Sequence, residues 1–422
     1  MKILIENGVY AHHNAGDIAM MVSSIQILSH RFPDSHFIVL SDESNRSILT
    51  RFGINNFTFR KCNHRFLFSR PGLILPRLSR PNWVHRIHNS LIDRFPSIFV
   101  KICLFYERLR NPPENCFHAV LSRLVSECDL IVFSGGGYIC DPFPEKVENA
   151  YALAVLARAH KKPIFLTGHG ITPCDAKLTK IRLNFILNTA KAIALRHPIN
   201  DRCKFSKNIH DRIAIVGDDA FHATANKQRS ERKGIGVNLR IAPYSTDQSN
   251  MIGKVAKIIE RLAENDDVPI KPVPIALYPS NENDYFAIQR FFSCDTKGSI
   301  DQFLTEERID FRIIREVIAS TEIVFSMSYH ACIFSLASLT PCIGLSASDY
   351  YDEKFNGIAH FFPNGFSFLR LDDPLIEANI QNTYRRIQKD REAQQKAISN
   401  SISQIDSRSK KFFNAIVDFT QT

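Results

Sequence analysis

The alternation of short apolar runs with segments of helical periodicity is the feature that most constrains the fold of this chain. The run "KILIEN" is followed by "GDIAMMVSSIQILSHRF", whose apolar residues recur at helical spacing, and then by "HFIVLSD". An uninterrupted apolar run is typical of a strand buried on both faces of a sheet. Recurrence at helical spacing is typical of an amphipathic helix. The start of the chain therefore predicts a strand, a helix and a second strand, which is the repeating unit of parallel sheets.

The same alternation continues through the rest of the 422-residue chain. The later runs that we interpret as strands are "DLIVFSGGG", "PIFLTGHG", "AIALR", "IAIVGDDAF", "GIGVNLR", "IKPVPIALYP", "EIVFSM" and Cys342 to Leu345. A chain of this length is too long for one hydrophobic core, so two domains are expected. We therefore predict an α/β protein with two Rossmann-like domains of parallel strands that face a cleft. Ligands of such sheets bind beyond the carboxyl ends of the strands.

Changes in composition predict where the domains divide. The stretch 224–233, "TANKQRSERK", is polar and charged and suits a linker. A basic helical insertion at about 60–115 interrupts the first domain, and the C-terminal residues have the pattern of long helices. We predict an N-terminal domain at 1–225, a C-terminal domain at 232–390 and a helical tail at 391–422. The end of the tail is expected to pack on the first domain.

Residues 60–110 carry almost all of the net charge of the chain. They contain eleven Lys or Arg residues against Asp93 and Glu107, a net charge of +9, whereas the whole chain carries +10. Large apolar residues, and the single tryptophan Trp83, lie between the basic ones. This mixture suits an anionic membrane surface, where apolar side chains enter the headgroup region and cations pair with lipid. A nucleic-acid groove and an ordinary solvated helix face are the alternatives. We expect peripheral membrane contact and no nucleic acid.

Three observations predict a cytoplasmic location. The ten cysteines include no C-x-x-C pair, which argues against a zinc ribbon and for reduced thiols. The N-terminus "MKILIENGVY" has the pattern of a first strand rather than of a signal peptide. The sequence contains no run of about 18 apolar residues that could cross a bilayer. We expect a cytoplasmic protein that contacts the inner face of the membrane.

Glycines and polar residues follow several of the predicted strands. In "HHNAGDIA", Asn14 or Asp17 can cap the next helix, and Gly16 can form a tight turn. An ordinary cap without a functional role is the alternative interpretation. Glycines at two later strand ends allow backbone amides to approach an anion without hindrance from side chains. The residues concerned are Gly135, Gly136 and Gly137 in "FSGGGY", and Gly168, His169 and Gly170 in "LTGHGIT".

Two arginines end predicted strands. Arg196 ends "AIALR", and Arg240 ends "GIGVNLR". A guanidinium group can form two parallel hydrogen bonds to a carboxylate or a phosphate. One arginine at a strand end is usually solvated, but two of them beside glycine-rich strand ends indicate an anionic ligand.

The segment 326–358, "SMSYHACIFSLASLTPCIGLSASDYYDEKFNGI", carries a further group of candidates. His330 precedes the apolar helix predicted at "ACIFSLA". A strand follows, and then a polar loop that contains Tyr350, Tyr351 and Lys354. Core packing alone does not require such a loop, so we interpret it as part of a binding site.

In this order the motifs resemble the polysaccharide pyruvyl transferase family. They are N-x-G-D after the first strand, "DLIVFSGGGYICD", "GHGITP", the strand ending at Arg196, "VGDDAF", "IGVNLR" and the segment 326–358. The resemblance implies two domains of the GT-B type and transfer of a pyruvyl group from phosphoenolpyruvate to a sugar as a ketal. It implies a surface polysaccharide acceptor, as in exopolysaccharide and cell-envelope biosynthesis. If residues 60–110 bind a membrane, we expect the acceptor to be a lipid-linked oligosaccharide. It also implies no metal and no cofactor beyond the donor substrate.

The resemblance implies roles for individual residues. His330 matches the family's histidine and is our candidate for the general acid, because an imidazole can donate a proton near neutral pH. A histidine that only caps the following helix is the alternative. Arg196 matches an arginine that would hold the carboxylate or phosphate of the donor. Lys354 would add a positive charge, and the glycine loops would bind the phosphate through their amides.

The sequence departs from the family pattern in one place. Ser328, Tyr329 and His330 stand where the family has Arg-x-His, so one cation is missing. Arg240 can replace it, or the donor can differ, since the paired tyrosines of the predicted polar loop can stack on a sugar or a nucleotide base. A glycosyltransferase that uses a nucleotide-sugar is therefore the alternative function. An inactive scaffold that binds a glycan or a partner enzyme is a third.

Overall fold

The computed structural model describes most of the chain. The described residues are 1–8, 13–41, 47–60, 90, 94–110, 117–172, 174–200, 202–223, 232–240, 249–278, 283–292, 300–305 and 308–421. They form two compact units. The first unit contains residues 1–8, 24–215 and 411–421, and the second contains residues 13–23 and 216–410.

Parts of two predicted segments lie outside the described residues. In the basic insertion these are residues 61–89, 91–93 and 111–115, which include Trp83. The predicted linker is described only at residues 232 and 233. The chain changes from the first unit to the second between residues 215 and 216, and returns to the first between residues 410 and 411.

Parallel strands form the centre of the first unit. The described strands are β1 (Lys2–Glu6), β2 (His36–Leu40), β3 (Phe57–Arg60), β4 (Leu130–Phe133), β5 (Ile164–His169), β6 (Ala190–Leu195) and β7 (Ile213–Ile215). They form one sheet in the order β3-β2-β1-β4-β5-β6-β7, with all neighbours parallel. Leu4 pairs with Ile131 in the middle of this sheet, and both are buried, as their uninterrupted apolar runs predict.

Helices separate these strands along the chain. They are α1 (Ala15–Arg31), α2 (Ser47–Thr50), α3 (Pro96–Arg110), α4 (Phe117–Glu127), α5 (Pro144–Ala159), α6 (Lys177–Thr189) and α7 (Lys207–His210). Helix α5 begins at Pro144, whose fixed backbone angle suits the first position of a helix. Its residues from Ala150 to Ala157 are all buried, which accounts for the nearly continuous apolar sequence of this helix.

The second unit has its own parallel sheet. Its described strands are β8 (Ile235–Asn238), β9 (Ile270–Pro272), β10 (Leu304–Thr305), β11 (Arg308–Ile309), β12 (Ile323–Ser326), β13 (Cys342–Ser346) and β14 (Phe366–Arg370). The sheet order is β14-β13-β12-β8-β9 with all neighbours parallel, and β10 and β11 form a separate antiparallel pair. The helices are α8 (Ser249–Asn265), α9 (Asp284–Phe291), α10 (Phe311–Ala319), α11 (Tyr329–Ala337), α12 (Asp349–Phe361), α13 (Ile376–Lys389) and α14 (Arg391–Gln421).

Both sheets confirm the prediction of an α/β protein with two Rossmann-like domains of parallel strands. In each sheet the strand order reverses direction at one place, between β1 and β4 in the first unit and between β8 and β12 in the second. Open parallel sheets bind ligands beyond the carboxyl ends of the strands at such reversals. The residues that follow β1, β4, β8 and β12 are therefore the first places to look for a site.

The prediction of a polar loop after the strand at Cys342 to Leu345 is wrong, because this segment forms helix α12. Tyr351, Phe355 and Ile358 recur at helical spacing, and all three are buried. The polar residues between them misled the prediction, although the spacing of the apolar residues is that of an amphipathic helix.

The C-terminal residues form the long helix α14, and its last part belongs to the first unit. There the ring of Phe419 lies 5.5 Å from the ring of Phe165, measured between centroids, and the guanidinium of Arg31 lies over the ring of Phe413. Among the described residues, no helix combines the length and apolar composition needed to cross a membrane.

Candidate active site

The first turn of helix α1 is fixed by the side chain of Asn14. Its oxygen Oδ1 accepts hydrogen bonds from the backbone N–H of Gly16 at 2.9 Å and of Asp17 at 3.4 Å. This arrangement is an N-cap, and it satisfies amides that have no partner within the helix. Of the two caps that the sequence allows, Asn14 or Asp17, the structure therefore forms the one at Asn14.

Backbone hydrogen bonds join the start of α1 to the second unit. The N–H of Ala15 donates to the carbonyl of Ile275 at 2.9 Å, and the N–H of Leu277 donates to the carbonyl of His13 at 2.9 Å. Asn14 forms an antiparallel bridge with Ala276 between these two bonds. These bonds explain why residues 13–23 group with the second unit although they follow β1 in the chain.

Asp284, at the start of α9, holds the strand segment to which α1 is joined. Its oxygen Oδ2 accepts hydrogen bonds from the N–H of Ile275 at 2.9 Å, from the N–H of Ala276 at 3.0 Å and from Nδ2 of Asn238 at 3.0 Å. Burial raises the pKa of Asp284, and the nearby charge of Arg240 opposes that rise. The carboxyl group thus connects the end of β8 to the segment that carries α1.

Tyr278 lies among the polar residues of the same region. Its hydroxyl lies near the side chain of Asn14, which acts to lower the pKa of the phenol. Burial, reinforced by the charge of Asp17, raises the pKa of Tyr278 to about 12, while Arg240 acts in the opposite direction. The phenol is therefore neutral at physiological pH. Tyr278 brings three of the predicted residues, Asn14, Asp17 and Arg240, into one electrostatic environment.

His330 lies directly against the backbone of Gly16. A Cβ atom at Gly16 would lie 2.6 Å from the Cβ atom of His330, and closer still to its Cγ and Nδ1 atoms. Gly16 is within helix α1 and has ordinary helical backbone, so the tight turn predicted for it is wrong. Glycine is required at this position because the imidazole occupies the space of a side chain.

The residues before His330 are held by a local hydrogen-bond network at the end of β12. Oγ of Ser326 accepts from the N–H of Ser328 at 2.9 Å and donates to the carbonyl of Ser328 at 2.9 Å. Ser328 is buried, and its side chain forms no cap hydrogen bond to α11. Tyr329 is also buried, with its ring edge-on to the imidazole of His330 at 5.2 Å between centroids. The direction of the His330 side chain is therefore set by rigid neighbours.

The contact between Gly16 and His330 brings together two helix N-termini, because each residue is the second of its helix. A helix N-terminus carries a partial positive charge that favours anions. At the start of α1 the first amides already donate to Asn14 and to the carbonyl of Ile275, so only this partial charge is available to a ligand there. We name Asn14, Gly16, Arg240, Tyr278, Asp284 and His330 the His330 cluster. It combines the partial positive charge of helix N-termini with a side chain that can exchange a proton.

In the first unit, the guanidinium of Arg196 lies between two glycines. A Cβ atom at Gly137 would lie 2.6 Å from Nη2 of Arg196, and a Cβ atom at Gly170 would lie 2.5 Å from its Nε. The N–H of Gly170 donates to the carbonyl of Gly136 at 2.9 Å, which fixes the two loops relative to each other. These glycines were predicted to leave room for an anion. At Gly137 and Gly170 the space is filled by the arginine side chain instead.

Tyr138 fills the space beside two other glycines. Its ring would lie 2.5 Å from a Cβ atom at Gly8 and 2.6 Å from one at Gly136. The remaining predicted glycines differ in role. Gly135 is buried at the end of β4, and Gly168 has the left-handed backbone (φ of 51°) that glycine adopts readily.

His169 has a defined tautomer. Its Nδ1 lies 2.8 Å from the carbonyl oxygen of Thr167, which can only accept, so Nδ1 carries the proton. Its Nε2 lies 3.3 Å from the hydroxyl of Tyr138 and accepts a hydrogen bond from it. Burial, together with the charge of Arg196, lowers the pKa of His169 to about 4. We name Gly137, Tyr138, His169, Gly170 and Arg196 the Arg196 cluster, in which His169 is neutral and acts as a structural support.

The three candidates on α12 are partly engaged in other contacts. Nζ of Lys354 lies 4.0 Å from the centre of the Tyr350 ring, a cation–π contact. Tyr351 is buried against Phe355 and so cannot stack on a ligand. Tyr350 is the more exposed ring of the pair. Of the two predicted stacking residues, only Tyr350 keeps that option.

Sequence reasoning missed Asn238, Tyr278 and Asp284 of the second unit, and Tyr138 of the first. Tyr138 and Asn238 stand beside residues that the motifs did single out, so their position next to a strand end was a usable signal. Asp284 follows Asn283, whose Oδ1 caps α9 by accepting from the N–H of Tyr285 at 2.9 Å. Nothing in the local sequence separates Asp284 from an ordinary acidic residue in a first helical turn.

Comparisons with known proteins agree with this fold. The family described as polysaccharide pyruvyl transferase matches residues 14–349. A comparison with curated proteins gives no match. Among solved structures, a putative UDP-N-acetylglucosamine 2-epimerase from Listeria monocytogenes is 10% identical, with a TM-score of 0.59 over 100% of this chain and 97% of that chain.

Two further solved structures are similar. UDP-GlcNAc 2-epimerase from Neisseria meningitidis bound to UDP-GlcNAc is 14% identical, with a TM-score of 0.55 over 99% of this chain and 100% of that chain. Arabidopsis thaliana UGT89C1 complexed with quercetin is 10% identical, with a TM-score of 0.53 over 99% of each chain. At these identities the likeness concerns the fold alone, and it confirms the predicted GT-B type.

Proposed function

Because the chain belongs to the polysaccharide pyruvyl transferase family, we propose that it transfers a pyruvyl group from phosphoenolpyruvate to a sugar as a ketal. Family membership makes the chain a transferase that acts on a sugar. The donor, the acceptor and the residue roles below are parts of the proposal.

The observation that carries the proposal is the contact between His330 and Gly16. It sets an imidazole against the first turn of one helix and within the first turn of another. Ketal formation needs a proton donor beside a highly anionic substrate, and helix N-termini favour anions. A histidine that merely capped its own helix would have no need of a glycine on a different helix. The close approach therefore favours the catalytic interpretation of His330 over the capping one.

In the proposed reaction, His330 donates a proton to the methylene carbon of phosphoenolpyruvate, which becomes the methyl group of the product. C2 then becomes an electrophile and accepts the oxygen of a sugar hydroxyl. A second hydroxyl of the same sugar attacks C2, and inorganic phosphate leaves. Each hydroxyl releases one proton; one of the two restores His330, and the other leaves with the phosphate. The reaction needs no metal ion and no organic cofactor.

Arg196 is the proposed partner of the carboxylate or phosphate of the donor. Its buried position and its glycine neighbours support this role, because a fixed guanidinium loses little freedom when it binds. Arg240 is the proposed replacement for the arginine that the family has at the position of Ser328. Its charge already acts on Asp284 and Tyr278, so it lies within the His330 cluster.

The acceptor that we propose is a lipid-linked oligosaccharide or a surface polysaccharide precursor of the cell envelope. Such an acceptor would be available to a cytoplasmic enzyme at the inner face of the membrane.

The alternative function is that of a glycosyltransferase with a nucleotide-sugar donor. The observation that favours it is the buried Ser328 at the start of α11, where the family pattern has a cation. Similar folds in the comparison include an epimerase bound to UDP-GlcNAc. Tyr350 is a ring that could stack on a base or a sugar in this case.

Thermal-shift titration with phosphoenolpyruvate and, separately, with a panel of nucleotide-sugars tests the two donors. A ligand that binds the folded protein raises the midpoint by mass action. We expect a concentration-dependent rise with phosphoenolpyruvate and none with nucleotide-sugars. The reverse pattern would support the glycosyltransferase.

Replacing His330 by Gln separates binding from chemistry. We expect the shift with phosphoenolpyruvate to remain, and phosphate release in the presence of acceptor oligosaccharides to fall by about a hundredfold or more, within the usual range for a general acid. His360→Gln, at an exposed position of α12, is the matched control. Unchanged phosphate release by His330→Gln would exclude the proposed role.

A further inference from the structure

Helix α3 presents a row of large apolar side chains to solvent. They are Phe95, just before the helix, and Ile98, Ile102, Phe105 and Leu109 within it, and each is between 52% and 68% exposed. The spacing of three or four residues places all five on one face of the helix. We name these residues the α3 row.

The opposite face of α3 is firmly attached to the first unit. Phe99, Val100 and Cys103 are buried in its hydrophobic core together with residues of α5. Oγ of Ser97 donates a hydrogen bond to the carbonyl of Ala159, at the end of α5, at 2.8 Å. The α3 row is therefore displayed by an anchored helix and is not the exposed side of a frayed segment.

An exposed apolar surface of this kind is expected to bind another molecule or a membrane. Single exposed apolar residues are common on soluble proteins, but contiguous apolar rows usually mark a binding surface. Val120, on α4, is a further apolar residue that is more than half exposed.

The charge around the α3 row favours an anionic occupant. Arg94 and Lys101 are exposed and are seven residues apart, so they lie along one side of the row. The sequence from Arg94 to Arg110, which contains the row, has four basic residues and one acidic residue. A second copy of the same chain would bring a like charge to this surface, and like charges oppose association. An anionic bilayer offers both an apolar layer and negative headgroups.

We propose that the α3 row is a membrane-docking surface, which inserts into the headgroup region of an anionic bilayer while Arg94 and Lys101 contact lipid phosphates. The choice of a bilayer as occupant rests in part on the proposed function, because a lipid-linked acceptor would be presented there. The surface itself follows from the exposure, spacing and charge of α3.

Flotation of the full-length protein with vesicles tests this proposal. The vesicles contain phosphatidylcholine, either alone or mixed with phosphatidylglycerol. We expect binding to the mixed vesicles and much weaker binding to phosphatidylcholine alone. The triple variant Ile98→Gln/Ile102→Gln/Phe105→Gln should bind the mixed vesicles at least about tenfold less, because it loses most of the apolar contact. Lys101→Glu should weaken binding to mixed vesicles only.

The matched control is Leu375→Gln, which removes an equally exposed apolar side chain from the second unit. It should bind vesicles as the wild type does. Thermal unfolding of each variant shows whether the fold is kept. Equal binding by the triple variant and the wild type would overturn the proposal, and so would absence of wild-type binding to mixed vesicles.

Size-exclusion chromatography with light scattering tests whether a second copy of the chain, rather than a bilayer, binds the α3 row. A wild-type dimer that becomes a monomer in the triple variant, without vesicle binding, would assign the row to self-association and reject the membrane. Failure of vesicle binding would leave the thermal shift with phosphoenolpyruvate intact. Failure of the proposed donor would leave flotation intact, so the two proposals fail separately.

Discussion

In both the Arg196 cluster and the His330 cluster, glycine leaves space for the side chain of another residue. The two clusters differ in the chemistry of that side chain. In the first unit, Gly137 and Gly170 leave room for a guanidinium that is buried and held. In the second, Gly16 leaves room for the imidazole of His330, whose Nε2 atom is buried although the residue as a whole is partly exposed. A permanently charged guanidinium suits binding of a fixed anion, whereas an imidazole can exchange protons.

The groups that hold Arg196 and His330 in place also differ between the two clusters. Around Arg196 the supporting residue His169 is neutral and hydrogen-bonded on both ring nitrogens. Around His330 the supports are helix N-termini and a chain of polar groups from Asp284 to Asn14. The Arg196 cluster has the chemistry of an anion-binding group, and the His330 cluster has that of a proton-exchanging group. The same substitution, glycine to alanine, should therefore have different consequences in the two units.

Gly16→Ala should have the largest effect. The new methyl group would overlap the imidazole of His330, so we expect a loss of about 2 kcal/mol of folding stability, typical of overpacking. Transferase activity should fall about a hundredfold or more, because the displaced histidine is the proposed acid. Denaturant unfolding and phosphate release measure the two effects. The control is Gly253→Ala, in α8, where the nearest atoms lie 3.7 Å from a new Cβ. It should change stability by no more than about 1 kcal/mol.

His169→Gln should alter the dependence of stability on pH. The pKa of His169 is about 4 in the folded protein and near 6.5 when unfolded, so the unfolded chain binds more protons between these values. The contribution of neutral His169 to folding stability is fully present above pH 6.5 and is lost as the pH falls towards 4. We expect the wild type to lose about 2 kcal/mol between pH 7 and pH 5 from this source.

Between pH 7 and pH 5 the folding stability of the Gln variant should fall by about 2 kcal/mol less than that of the wild type. The reason is that an amide does not titrate but can keep both hydrogen bonds. Urea unfolding at several pH values gives the profile, with His360→Gln as the exposed control. Identical slopes for wild type and His169→Gln would show that this imidazole is not the buried neutral group we describe.

Gly170→Ala should weaken donor binding by about tenfold and lower folding stability by about 1 kcal/mol. The new methyl group would overlap the guanidinium of Arg196, which is buried beside Gly170 and Gly137 and must shift to make room. A displaced guanidinium loses its two-point contact with a carboxylate or phosphate, which accounts for the weaker binding. Titration with phosphoenolpyruvate measures the affinity. An affinity equal to the wild type would argue that Arg196 does not bind the donor.

Lys354→Met should have the smallest effect. The sequence predicted that this lysine adds charge to the donor site, but its ammonium group lies over the ring of Tyr350. We expect less than about a threefold change in donor affinity, and a small loss of stability from the missing cation–π contact. A larger loss of affinity would indicate that Lys354 contacts the donor, and that anion binding does not depend on the Arg196 cluster alone.

The sequence was sufficient to predict the sheets and less so the site. Strands such as β1, β4 and β12 are uninterrupted apolar runs, and such runs specify a buried parallel strand almost without tertiary information. The ends of these strands could also be predicted, because each apolar run stops at glycine or polar residues. Helix α12 was missed because polar residues separate its buried apolar positions.

The roles of the glycines could not be read from the chain, because the reason for each lies in a residue far away in sequence. Gly16 is explained only by His330, and Gly170 only by Arg196. Asp284 could not be recognised because its role depends on hydrogen bonds from the Ile275–Ala276 segment and from Asn238, which is 46 residues away. Close approach between remote residues is a tertiary property, and local propensity carries no record of it.

The space shared by Gly16 and His330 also has a consequence for inheritance. Since the imidazole occupies the volume of a side chain at position 16, a lineage that replaces this glycine must move or lose the histidine, whereas the reverse order of change meets no obstacle. In related chains, a larger residue at the position of Gly16 should therefore accompany the absence of the histidine. A glycine retained without the histidine would mark an enzyme whose chemistry was lost recently.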